Sequence, residues 1–160
     1  MPKPPSRVPA RHRTLADPGS RQIVLKRIAA LPPDAPRRWG KMTAHQALCH
    51  LTDSYKGVIG ERAVSPTHLW IPQPILKWLV LHAAWPKGAP TRPEVDQLVG
   101  GTAPGVFAAD RKALIEAMDR FCSAPDSRRG AHPLIGRMSR EDWMRWGYLH
   151  ADHHLRQFGH

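Results

Sequence analysis

Near its C-terminal end the chain places three imidazoles within five positions, His150, His153 and His154. On a helix, residues four apart lie one turn above each other on the same face, so His150 and His154 point the same way. Neutral imidazoles held side by side are a pair of ligands for a transition-metal ion. Trp143, Gly147 and Gln157 fall on that face too, with Trp146 at its edge, and aromatic bulk there predicts that the stripe is turned inward. His153 lies about 60° to the other side of His150. His150 with His153 is thus an alternative pair, although a solvent-facing or ligand-supporting role is the favoured reading of His153.

A third ligand is sought in the second histidine-bearing stretch, Thr43 to Leu51. Thr43-Ala44-His45-Gln46 is a capping box that opens a helix running to about Ile59. His50 lies at the flank of that helix's apolar arc of Ala47, Leu48, Leu51, Tyr55 and Val58. His45 is about 140° away, nearer Cys49, so His45 and His50 cannot both face one ion from an undistorted helix. His50 is the inward candidate. Cys49 points about 100° from His50 and reads as a buried thiol rather than a ligand. Asp53 and Asp152 could accept a ring N–H from a ligating histidine, Asp152 reading better as an exposed helix residue. Trp143 and Trp146 read as core, or as walls of a pocket over the ion. His12, His68, His82, His132 and His160 form no constellation and receive no role. No Asp or Glu is placed by spacing as an obvious general base.

The elements that must position these groups read as helices. Asp17-Pro18 is a cap followed by proline at the first helical position, and Val24, Ile28 and Leu31 continue at a 3.6-residue period as far as Pro32-Pro33. A short segment, Ile75 to Ala84, is hydrophobic all round and predicts a lid or a buried helix. Ala108 to Cys122 is amphipathic, with Phe107, Leu114, Met118 and Phe121 on one face, and Ser139-Arg140-Glu141-Asp142 is a second capping box opening the terminal helix. No segment alternates as a strand does. The expected fold is all-α, a four-helix bundle with a Pro/Gly-rich insertion, residues 65–105, between the second and third main helices.

Length and composition bound the rest. A chain of 160 residues with six tryptophans and 41% hydrophobic residues is expected to form one domain over 17–160, preceded by a basic, disordered arm over 1–16. No run of 18 uncharged apolar residues offers a membrane span. Two cysteines give no disulfide framework, and with no apolar leader segment the expected location is cytoplasmic. The net charge of +11 is concentrated in residues 1–41, which carry ten Lys/Arg against Asp17 and Asp34. Such an arm attracts any polyanion without specificity. The absence of zinc-finger spacing, of an RNP-like run and of a helix-turn-helix argues against a nucleic-acid function.

The run Trp39-Gly40-Lys41-Met42-Thr43-Ala44-His45-Gln46-Ala47-Leu48-Cys49-His50-Leu51, the Phe107 to Phe121 helix and the ending His150-Ala151-Asp152-His153-His154-Leu155-Arg156-Gln157 resemble the DinB-like superfamily. The resemblance is nearest to a bacterial branch with no assigned function and covers roughly residues 20–159. It implies a bundle in which His50, His150 and His154 surround one divalent ion, zinc, nickel or iron, with coordination positions open and Gln157 in the position of the superfamily's following glutamine. Leu155, where arginine is usual, and the 65–105 insertion depart from the pattern. Relatives that the resemblance brings in include transferases dependent on a low-molecular-weight thiol and metal-dependent hydrolases. Two expectations follow: an enzyme acting on a small-molecule substrate, in which a homodimer is allowed, or a non-catalytic helical module whose basic arm contacts an acidic partner or nucleic acid.

Overall fold

The computed structural model describes residues 12–160; the larger part of the expected basic arm, residues 1–11, lies outside the described residues. Five α-helices carry the fold: α1 (Pro18–Ala30), α2 (Ala44–Val58), α3 (Gln73–His82), α4 (Phe107–Ser123) and α5 (Arg140–Gln157). Among the described residues there is no strand, only an isolated antiparallel bridge between His132 and Gly136. The all-helical expectation holds, with α1, α2, α4 and α5 as the main helices and α3 inside the long α2–α4 connection.

Local chemistry explains where the helices begin. Asp17 accepts the backbone N–H of Ser20 at 2.6 Å, and Pro18 starts α1 with a backbone angle already suited to it. Thr43 and Gln46 close a capping box at α2, and Ser139 and Asp142 close another at α5. These devices satisfy N–H groups that the first helical turn leaves orphaned. The short helix starts at Gln73, two residues before the expected Ile75, because Pro74 is tolerated within a first turn that needs no N–H from it.

Helix α2 packs along α4, and α1 packs along α5. Val24, Ile28, Leu48, Leu51, Leu114, Met118, Phe121 and Leu155 are buried between them. Leu15, ahead of α1, is buried as well, and its backbone N–H donates to the carbonyl of Met144 at 3.0 Å. Tyr55 crosses the core and donates its hydroxyl to the carbonyl of Gly147 at 2.9 Å. Gly147 lets α5 come this close, because a Cβ there would lie 2.7 Å from Cε1 of Phe121 and 2.9 Å from Cδ1 of Leu15.

The insertion covers one side of the bundle. Leu76, Leu79 and Val80 of α3 turn towards a cavity, while Trp78 (59% exposed) and Ile75 face outward. This two-sided placement explains why the segment reads as apolar all round. A 3-10 turn, Pro93–Val95, then brings the chain back against α2.

Candidate metal centre

His50 of α2 meets His150 and His154 of α5 at the floor of a cavity of about 590 Å³. Each of the three offers a ring nitrogen, and the three nitrogens lie within 4.8 Å of one another. Nε2 of His50 is 3.0 Å from Nε2 of His150, and the ring centroids of His50 and His154 are 4.7 Å apart. Of the two pairings open for His150, it is therefore His154 that joins it beside His50.

Two rings are anchored through their outer nitrogens. Nδ1 of His50 donates to the carbonyl of Val95 at 2.6 Å, since a carbonyl can only accept. This assigns the proton to Nδ1 and leaves the Nε2 lone pair facing His150. Gln157 does the same for His154. Its Nε2 donates to the carbonyl of Trp39 at 2.8 Å, so its Oε1 faces Nδ1 of His154 at 3.2 Å and accepts from it. Ligating histidines in metalloproteins commonly carry such an outer partner, which sets tautomer and ring orientation. Nδ1 of His150 is buried with no partner.

The expected second-rank residues separate. Asp53 accepts no ring N–H; its fully buried carboxylate instead takes the N–H and hydroxyl of Thr102 at 2.7 and 2.8 Å, the Gln97 amide at 3.1 Å and Arg62 at 3.2 Å. Arg62 also donates to the carbonyls of Glu94 and Gly100, each at 2.7 Å. Asp53 thus ties the 94–102 segment to α2, which places Val95 against His50, and its charge also favours the protonated form of His50 directly. Asp152 pairs with Arg27 at 2.5 Å and meets no ring nitrogen of the three histidines. His45 is turned to Asp110, with Nε2 2.6 Å from Oδ2, and stands apart from the three-histidine floor.

His153 is half-buried rather than solvent-facing, wedged between Trp39 and Trp85 at ring-centroid distances of 4.6 and 5.5 Å. Trp143 and Trp146 are both core and wall: they are buried and line the cavity, Trp146 lying 4.8 Å from the His150 ring. Trp85 closes the other flank at 5.5 Å from His150, its indole N–H donating to the carbonyl of Val80 at 2.7 Å.

His132, which spacing left without a role, also lines the cavity. Its Nδ1 accepts the N–H groups of Leu134 and Ile135 at 3.1 and 3.3 Å, which puts its proton on Nε2. Nothing in its local sequence marks it, because the α4–α5 connection carries it to α5 only in three dimensions.

Burial keeps this collection neutral. It pushes His50 below the usual imidazole range, the hydrogen bond to Val95 opposing in part. Burial holds His150 and His154 well below that range, with neighbouring imidazoles adding to the effect. His132 and His153 are each brought down to about 4, again chiefly by burial. A deprotonated imidazole is the form that ligates. No carboxylate lines the cavity among the described residues. The three-histidine floor could therefore hold a divalent ion, under a largely apolar roof.

One family model spans the Trp39-Gly40 run, both histidine stretches and all five helices. The chain belongs to the DUF1569 family. That family is described as protein of unknown function (DUF1569), and the match runs over residues 17–160. No curated protein and no solved structure matches the chain. Membership of the DUF1569 family carries no reaction with it.

Proposed function

We propose that the protein is a metal-dependent transferase or hydrolase of the DinB-like superfamily, acting on a small, largely apolar molecule, with His50, His150 and His154 holding one divalent ion. The observation that carries this reading is the convergence of three neutral imidazoles, His50 and His150 buried and His154 partly so, two of them fixed by Val95 and Gln157 with Nε2 turned inward. The partnerless nitrogen of His150 is Nδ1, whereas the one that faces His50 is Nε2. Zinc, nickel and iron(II) all accept such a donor set.

An ion there supplies Lewis-acid chemistry to a bound oxygen or sulfur atom. The chain's own residues supply the remainder. Trp85 and Trp146 exclude water from two sides, and Leu76, Leu79, Val80 and Val95 present an apolar surface for the substrate body. His132 offers a fixed N–H donor at the wall, and His153 a neutral ring at the rim. A carboxylate general base has no representative in the lining, so proton movement falls to imidazoles or to a group on the substrate. A low-molecular-weight thiol as co-substrate fits an ion with open positions and rests on the superfamily resemblance.

The test is metal content and turnover of untagged protein, wild type against the triple variant His50→Ala, His150→Ala, His154→Ala. Loss of one equivalent of zinc or nickel, with loss of hydrolysis of aryl esters or of thiol conjugation to an aryl electrophile, is the expected result. Equal metal content in the two proteins overturns the reading.

A further inference from the structure

A second set of ligating atoms sits on another face of α2. His45 and Cys49 are four residues apart, so they lie one turn above each other, and Asp110 approaches them from the first turn of α4. One nitrogen, one sulfur and one carboxylate oxygen lie within 4.8 Å of one another there. Nε2 of His45 is 2.6 Å from Oδ2 of Asp110, which also takes the N–H of Gly105 at 2.8 Å, and the Cys49 sulfur lies within 4.8 Å of a carboxylate oxygen of the same residue. The proton that His45 directs at Asp110 therefore sits on an atom that is itself a metal ligand, with the Cys49 sulfur beside the same carboxylate. The Cys49 side chain is buried, while His45 and Asp110 keep 19% and 23% of their side-chain surface open, so an ion has a way in.

We propose that His45, Cys49 and Asp110 form a second cation site, separate from the three-histidine site, which takes a zinc-class dication and pins α2 to α4. The mixed N, S, O donor set suits zinc or cobalt, with bonds of about 2.0–2.3 Å and water as the fourth ligand. Binding releases the Cys49 thiol proton to solvent and moves the His45 proton from Nε2 to Nδ1, so that both atoms present lone pairs. No ligand is shared with the other site: Cys49 and His50 are neighbours in sequence but point about 100° apart around the helix. The two helices joined are a closely packed pair of the bundle, so the site's effect is on stability.

Sulfur distinguishes this site from an all-imidazole one. Cobalt(II) titrated into the untagged full chain should produce a thiolate-to-cobalt charge-transfer band in the near ultraviolet. The triple variant His50→Ala, His150→Ala, His154→Ala should keep that band and one equivalent of metal. Cys49→Ser should abolish the band while the three-histidine equivalent remains. Zinc should raise the Tm of the triple variant and lose that effect when Cys49→Ser is added. A wild type that binds cobalt without the band overturns the proposal, as does a band surviving in Cys49→Ser, which would come from Cys122. Should the triple variant fail to fold, Cys49→Ser in the wild-type background decides the matter alone. Failure of the three-histidine site would leave the sulfur band untouched, so the two readings fail separately.

Discussion

Gln157 shows how one side chain can carry the geometry of an ion site without touching the ion. Its amide bridges Trp39 and His154, so one residue both closes the end of α5 onto the 38–41 loop and turns the His154 ring. Gln157→Leu keeps the volume and removes both bonds. It should weaken zinc binding about 10–100-fold, read by competition with a chromophoric chelator, with helicity retained. Gly40 belongs to the same device. Its φ of +80° is one that other residues adopt only with strain, and a Cβ there would lie 2.3 Å from Nε2 of Gln157. Gly40→Ala should therefore cost on the order of 1–3 kcal/mol in denaturant unfolding and lower metal affinity along with Gln157→Leu. Unchanged affinity in both variants would remove Gln157 from the positioning of His154.

At the scale of elements, the 94–102 segment is held to α2 by Asp53, and this places the Val95 carbonyl against His50. Asp53→Ala leaves the Arg62 guanidinium without its carboxylate and Thr102 without its acceptor. The expected loss is about 3 kcal/mol, the low end for a broken buried pair because Arg62 keeps some solvent contact. Metal affinity should fall with it. Lost stability with intact affinity would mean that Val95 is placed by other contacts. This element also shows where sequence reading ends. Helix starts were legible because capping is local: Asp17, Thr43 and Ser139 announce themselves within three residues. His150 and His154 were legible because helical phase is local too. The partner of His50 is a backbone carbonyl 45 positions away, and no side-chain pattern encodes that. The sequence shows Asp53 as an acceptor near His50, but its donors Thr102, Gln97 and Arg62 lie in irregular segments that no periodicity predicts. Its charge was visible and its loop was not. His132 had no local signal at all.

At the scale of the molecule, the buried imidazoles tie stability to pH. His132 and His153 are held near 4 in the folded protein, and His50, His150 and His154 are lowered as well; an unfolded imidazole titrates near about 6.5. Below that value the unfolded chain binds protons that the folded chain refuses. The contribution is thus fully present above about 6.5 and is lost as pH falls towards 4. Every tenfold loss of proton affinity on folding corresponds to about 1.4 kcal/mol. Acid also raises a net charge that is already +11, and general repulsion would destabilise in the same direction. Salt separates the two causes, because repulsion between surface charges is screened at about 0.5–1 M while the cost of charging a buried ring is not. Urea midpoints of metal-free protein at pH 7, 5.5 and 4.5 should therefore decline at high salt as well as at low salt. The His132→Phe variant should show a shallower decline, having one less buried ring to protonate. A decline that salt abolishes would assign the acid sensitivity to surface charge and leave the buried imidazoles without a part in it.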